Sequence, residues 1–204
     1  MNNISKLQYS LCAAALATAI AVSGCSKSQE TSSPAQPVSE AAEPAPAAVE
    51  SPPMAAPLTQ DQVGAQYRIA AKPVLVHNGE GVRIVLSVTN AGTIAINSNG
   101  KLPVNLAVSL VDLNGTAIDQ DFVRVSLPVS GIASGSSADV VAEVPSNKVV
   151  GKALRFGLVQ ESVAWFSDFK VAPLDYGPLT SCEDEGKPTI CGKEGKPLAH
   201  AESP

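Results

Sequence analysis

The stretch that decides the fold is Val82-Arg83-Ile84-Val85-Leu86-Ser87-Val88-Thr89. Val82, Ile84, Leu86 and Val88 fall on one side of an extended chain, while Arg83, Val85, Ser87 and Thr89 fall on the other. Strict period-two alternation with one apolar face marks a half-buried β-strand. The same pattern returns over Leu102 to Val111, where Val104, Leu106, Val108 and Leu110 share a face. It returns again at Ala138, Val140, Ala142 and Val144, and at Leu154, Phe156 and Leu158.

Turn residues separate these runs. His77-Asn78-Gly79-Glu80-Gly81 precedes the first, and Asn90-Ala91-Gly92, Asp112-Leu113-Asn114-Gly115 and Pro145-Ser146-Asn147 follow the others. Each supplies the Gly, Asn or Asp that a tight reversal needs. Further strands are expected from Tyr67 to Val76, edged by Pro73, around Thr116 to Ile118, from Phe122 to Leu127, and from Val163 to Phe166 continuing toward Val171. No window of this region has a helical stripe. About seven or eight short strands at roughly ten-residue spacing predict an all-β fold, an immunoglobulin-like or fibronectin-like β-sandwich over residues 64–175. A small barrel is the structural alternative.

Upstream the composition changes. Residues 26–60 are rich in Ala, Pro, Ser and Glu and contain no aromatic residue. Such a segment buries too little apolar surface to offset the ordering of its backbone, so residues 25–60 read as a disordered linker. At ~3.1 Å per residue in an extended proline-rich conformation it would reach roughly 100 Å. It would serve either as a spacer or as a solubilising tether.

Residues 1–24 have the form of a secretory signal. Lys6 lies in a polar start, Leu11 to Val22 is an apolar run too short to span a bilayer, and small residues follow. The run ends Val22-Ser23-Gly24-Cys25, which resembles the bacterial lipobox. The resemblance implies a diacylated Cys25 at the new N-terminus, often with a third acyl chain. At ~0.8 kcal/mol per buried methylene, one chain holds a protein only marginally and two or three hold it durably. Ser26 rather than Asp after that cysteine implies the outer membrane, as in proteobacterial lipoproteins. The expected location is therefore the cell envelope, with a membrane as partner through the lipid anchor.

A second resemblance rests on four blocks. They are Val88-Thr89-Asn90-Ala91-Gly92, Asp112-Leu113-Asn114-Gly115, Asp121 to Pro128 with Arg124 and Leu127, and Gly151 to Phe166 ending Glu161-Ser162-Val163-Ala164-Trp165-Phe166. Together they resemble bacterial immunoglobulin-like domains found beside, or appended to, surface-polysaccharide machinery. The last block is the distinctive one. Ile94-Ala95-Ile96 stands where that class usually has a tryptophan. The resemblance implies a non-catalytic binding or scaffolding module with a glycan or envelope-protein partner, or a subunit of a secretion or surface assembly.

The chemistry-bearing residues are few. A net charge of −5 over 204 residues gives no footprint for a phosphate backbone, so nucleic acid is not expected as a partner. Trp165 and Phe166 are adjacent, so on a strand they face opposite ways. One would plug the core and the other would be a candidate ligand contact. Arg124 and Glu161 are placed to form a cross-strand ion pair. Asp112, Asn114, Asp119 and Asp121 offer oxygen ligands, but their spacing matches no EF-hand and turns collect such residues for backbone reasons. A serine hydrolase would have to use His77, the one histidine inside the predicted domain, and no nucleophile motif accompanies it. A carboxylate pair such as Asp119 and Asp121 would need a cleft to act on a glycoside. The chain therefore reads as non-enzymatic, with no cofactor and no metal site. Residues 176–204 read as a tail. In an exported protein Cys182 and Cys191 form a disulfide across its acidic loop, and residues 192–204 are expected to fray.

Overall fold

The computed structural model describes residues 51–201. Residues 1–24, Cys25 and the linker as far as residue 50 lie outside the described residues. The strands are β1 Ala65–Ile69, β2 Val74–Val76, β3 Gly81–Asn90, β4 Val104–Val111, β5 Ala117–Ser126, β6 Ser137–Pro145, β7 Lys152–Gln160, β8 Ala164–Trp165, β9 Leu174–Asp184 and β10 Lys187–Cys191. One short α-helix, α1 Ser146–Val149, joins β6 to β7, and a 3₁₀ turn over Phe166–Phe169 follows β8.

They form two antiparallel sheets. In the first, β3 is central: β1 and β2 pair successive parts of one edge, and β6 pairs the other. In the second the order is β10-β9-β7-β4-β5, and β8 pairs β7 beyond the end of β9. The sandwich is thus the architecture the alternation predicts. Val82, Ile84, Leu86 and Val88 of β3 are all fully buried, as are Val104, Leu106 and Val108 of β4 and Leu154, Phe156 and Leu158 of β7. Each large side chain so buried contributes about 1.5–3 kcal/mol. Among the described residues no disulfide joins the sheets, and apolar packing holds them together.

The turn blocks have specific jobs. Asn90 is fully buried; its amide donates to the carbonyls of Ile94 and Ile132, and its oxygen accepts from the Gly92 N–H. A Cβ on Gly92 would lie 2.1 Å from the Gln62 carbonyl oxygen, so no other residue fits there. In the β4–β5 hairpin the Asp112 carboxylate accepts from the N–H groups of Asn114 and Thr116, and Gly115 takes a positive φ of 82°. The two expected strands over 116–127 are a single β5 with register shifts against β4.

Both predicted boundaries of the domain move outward. Residues 51–60 are a strap across one end of the sandwich. Met54 and Leu58 are buried, the Met54 N–H donates to the Asn99 carbonyl (2.8 Å), and its carbonyl accepts from the Leu102 N–H (3.2 Å). The prolines around Met54 and Leu58 pre-set an extended chain, which lowers the entropy lost on docking. At the other terminus the sandwich does not stop at 175. β9 pairs with β7 and buries Tyr176 and Leu179, and β10 continues the sheet. Cys182 and Cys191 are joined, tying β9 to β10. The following residues then turn back rather than fray. Gly192 and Lys196 close a tight turn, Leu198 is buried, and the backbone of Leu75 in β2 exchanges hydrogen bonds with Ala199 and Ala201 at 2.8 Å each. The signal for this ladder is a repeat: Glu185-Gly186-Lys187-Pro188 and Glu194-Gly195-Lys196-Pro197 each turn the chain into an extended segment.

Candidate functional site

The outer face of the second sheet carries a cluster that joins an aromatic ring, several polar side chains and a cavity. Strand register puts Arg124 of β5, Ala107 of β4 and Gly157 of β7 in one row across that face. Ala107 is fully buried, whereas Gly157 at the end of the row leaves a shallow trough that an ordinary strand side chain would fill. Trp165 lies opposite Val159, and its indole is half-buried beside the trough. Its N–H on the backbone donates to the Asp168 carboxylate (3.0 Å), which fixes the 3₁₀ turn that follows.

Arg124 holds the indole in place. Its guanidinium carbon is 4.8 Å from the ring centroid, a cation–π geometry. Its Nε lies 3.2 Å from Glu161 Oε1, the ion pair read from the sequence, and it also pairs with Asp121. Glu161 accepts a second bond from the Asn105 amide at 2.9 Å. Arg124 Nη1 and Asn105 Oδ1 are buried without a protein partner. One is a donor and the other an acceptor, so the cluster has hydrogen-bonding capacity to spare.

The trough opens into a cavity of about 150 Å³ lined by Trp165, Gly157, Arg155, Ser109, Gln120 and Pro173, among others. That volume is comparable to an engineered apolar cavity that admits benzene, so a larger ring would enter it in part. Arg155 is held by two bonds of 2.7 Å to the Asp175 carboxylate, which raises its already high pKa. Gln120 is exposed, and its backbone carbonyl accepts from the Ser109 hydroxyl. Tyr67 reaches the cavity from β1; its hydroxyl accepts from the Leu158 N–H, and burial pushes its phenol well above the ordinary range.

Of the two candidate contacts, only Trp165 faces this surface. Phe166 is 1% exposed and packs in the core, but from the first position of the 3₁₀ turn and not from a strand. The acidic cluster is spoken for: Asp112 holds a turn, Asp119 accepts from the Asp121 N–H, and Asp121 pairs with Arg124. Among the described residues no three His, Cys, Asp or Glu side chains converge on a metal position. His77 pairs with Glu143 (3.1 Å) on open surface, beside Arg83. Among the described residues no helix is long and apolar enough to cross a membrane. Sequence reasoning found Trp165, Arg124 and Glu161. It missed Gly157, Gln120 and Arg155, whose shared face emerges only from the register of β4, β5 and β7.

Compared with known proteins, the chain matches no family model and no curated protein. What stands is a β-sandwich of generic immunoglobulin-like or fibronectin-like kind, with a tryptophan-walled trough on its second sheet.

Proposed function

We propose that this chain is a non-enzymatic lipoprotein of the cell envelope, anchored through Cys25 in the outer membrane, whose sandwich binds one ring of a glycan in the Trp165 trough. The carrying observation is the half-exposed indole beside a small open cavity that Arg155, Gln120 and Ser109 line with polar groups. A sugar ring offers an apolar face of C–H groups and a rim of hydroxyls. An indole suits the first, and fixed polar side chains suit the second. The anchor rests on Val22-Ser23-Gly24-Cys25 and the proline-rich segment after it. The carboxylates near the trough are engaged in turns and ion pairs, which supports binding rather than catalysis.

Trp165 is the chain's only tryptophan, so its emission reports on the site directly. Titration with oligosaccharides prepared from the envelope should shift or quench that emission saturably. Gly157→Leu should block the response without unfolding the domain, because a Cβ there meets nothing closer than Pro173 Cβ at 3.9 Å. An unchanged emission across the series, or an undiminished response in Gly157→Leu, would show the reading to be wrong.

A second reading, a subunit of an envelope assembly, draws on the edges. Among the described residues β5 pairs only with β4 and β6 only with β3, so each has a side suited to strand addition.

A further inference from the structure

Away from the trough, a larger groove runs between the break that separates β1 from β2 and the closing turn after β10. Its volume is about 690 Å³, within the usual span of small-molecule sites. The apolar wall includes Ile69, Val74, Tyr176 and Leu198, of which Tyr176 and Leu198 belong to the core. Three ammonium groups, from Lys72, Lys193 and Lys196, line it against one carboxylate, Glu194. This concentration of cations occurs in a chain whose net charge is −5.

The arrangement is built from distant parts of the sequence. Lys72 sits at the apex of the β1–β2 break, which Pro73 imposes on an otherwise continuous edge. Lys196 is carried by the second of the two Glu-Gly-Lys-Pro turns. Lys193 lies over the Tyr176 ring, 5.8 Å from its centroid, and 3.9 Å from Glu194. Among the described residues neither Lys72 nor Lys196 has a carboxylate within ion-pair distance. Two cations with no ion-pair partner among the described residues, at the rim of an apolar groove, are complementary to an anionic head on an apolar body.

We propose that this groove is a binding site for a single anionic amphiphile, with its head between Lys72, Lys196 and Lys193 and its hydrocarbon along Ile69, Val74 and Leu198. Apolar burial supplies affinity, and the lysines select the charge.

Calorimetric titration of the whole chain carrying Cys25→Ser, with dodecyl phosphate below its micelle concentration, tests this. Saturable one-to-one binding is expected, weakened at least tenfold in Lys72→Gln/Lys196→Gln. Ionic strength of about 1 M, where the Debye length shrinks to about 3 Å, should weaken it as well. Uncharged dodecyl maltoside should give no saturable heat. Trp165→Ala should bind dodecyl phosphate as the parent does, so the outcome is separate from that of the glycan trough. No binding by the parent, equal binding by the double variant, or equal binding of the maltoside would overturn the proposal. Both lysines are exposed, and an unchanged thermal melt confirms that the double variant is folded.

Discussion

Gln160 shows what a single buried polar side chain does here. It is 2% exposed at the end of β7; its oxygen accepts from the Leu58 N–H, and its amide donates to the carbonyls of Ala56 and Leu102. Gln160→Leu keeps the volume but strands those groups, at about 1–3 kcal/mol for each one left buried and unpaired. Only the Leu58 bond is fully buried, while the Ala56 and Leu102 carbonyls are part-exposed, so denaturant melts should show a loss of about 1–3 kcal/mol, with faster hydrogen exchange at Leu58. Glu143 is the opposite case, an exposed carboxylate. Hydrogen bonds from Arg83 first, and from His77 second, hold its pKa below the ordinary value. A lowered carboxylate pKa adds stability that is complete above the unfolded value and is lost as pH falls through the folded one. Solvent screening keeps that contribution under about 1 kcal/mol. Glu143→Gln should therefore lower the melting temperature slightly at neutral pH and leave it unchanged near pH 2, where both forms are neutral (about two units below the ordinary carboxylate range). At this scale the sequence was readable wherever a residue acts locally. Asn90 and Asp112 cap their own turns, and Trp165 and Phe166 part at the step from β8 into the 3₁₀ turn. Gln160 was not readable, because its partners lie as far as 104 residues away.

At the scale of elements, legibility followed alternation. β3, β4, β6 and β7 each present an unbroken apolar face, and each is apparent from the sequence alone. β9 was not, because Leu174-Asp175-Tyr176-Gly177-Pro178-Leu179 breaks the period. It pairs with β7 through a register shift, which lets Tyr176 and Leu179 both reach the core. The strap was hidden for a different reason: two apolar residues among prolines and alanines look like linker until a neighbour supplies their hydrogen bonds. The β9–β10 hairpin makes its own prediction. In the chain-entropy view, closing this short loop through Cys182 and Cys191 contributes roughly 3 kcal/mol. Replacing both cysteines by serine should lower stability by that order in equilibrium unfolding. Amide exchange should accelerate first over residues 180–191, and then at Leu75, whose partners Ala199 and Ala201 follow the hairpin.

For the whole molecule, the proposal joins a lipid-anchored thiol, a proline-rich tether and a sandwich with two separate candidate sites. The Cys25→Ser variant should move from the membrane fraction to the soluble one in high salt, and mass spectrometry of the parent should find acyl chains on position 25. Retention of the variant with membranes, or an unmodified thiol in the parent, would remove the anchor from the account. The sandwich itself was legible because its core is made by adjacent residues alternating across pleated strands. The trough and the groove were not, because each gathers side chains from strands and turns that only folding brings together.

The strap also determines how the domain would bear a pull. Tension entering at Ser51 meets the Ser51 hydroxyl bonded to Ser130, the Pro52 carbonyl bonded to Asn97, the Met54 bridge to Gly100 and the Gln160 clamp before it reaches β1. Those links join the strap to loops from both sheets, so force is shared across the end of the sandwich instead of unzipping one edge strand. In a single-molecule stretching experiment, Gln160→Leu should therefore lower the rupture force more than its loss of equilibrium stability alone would suggest.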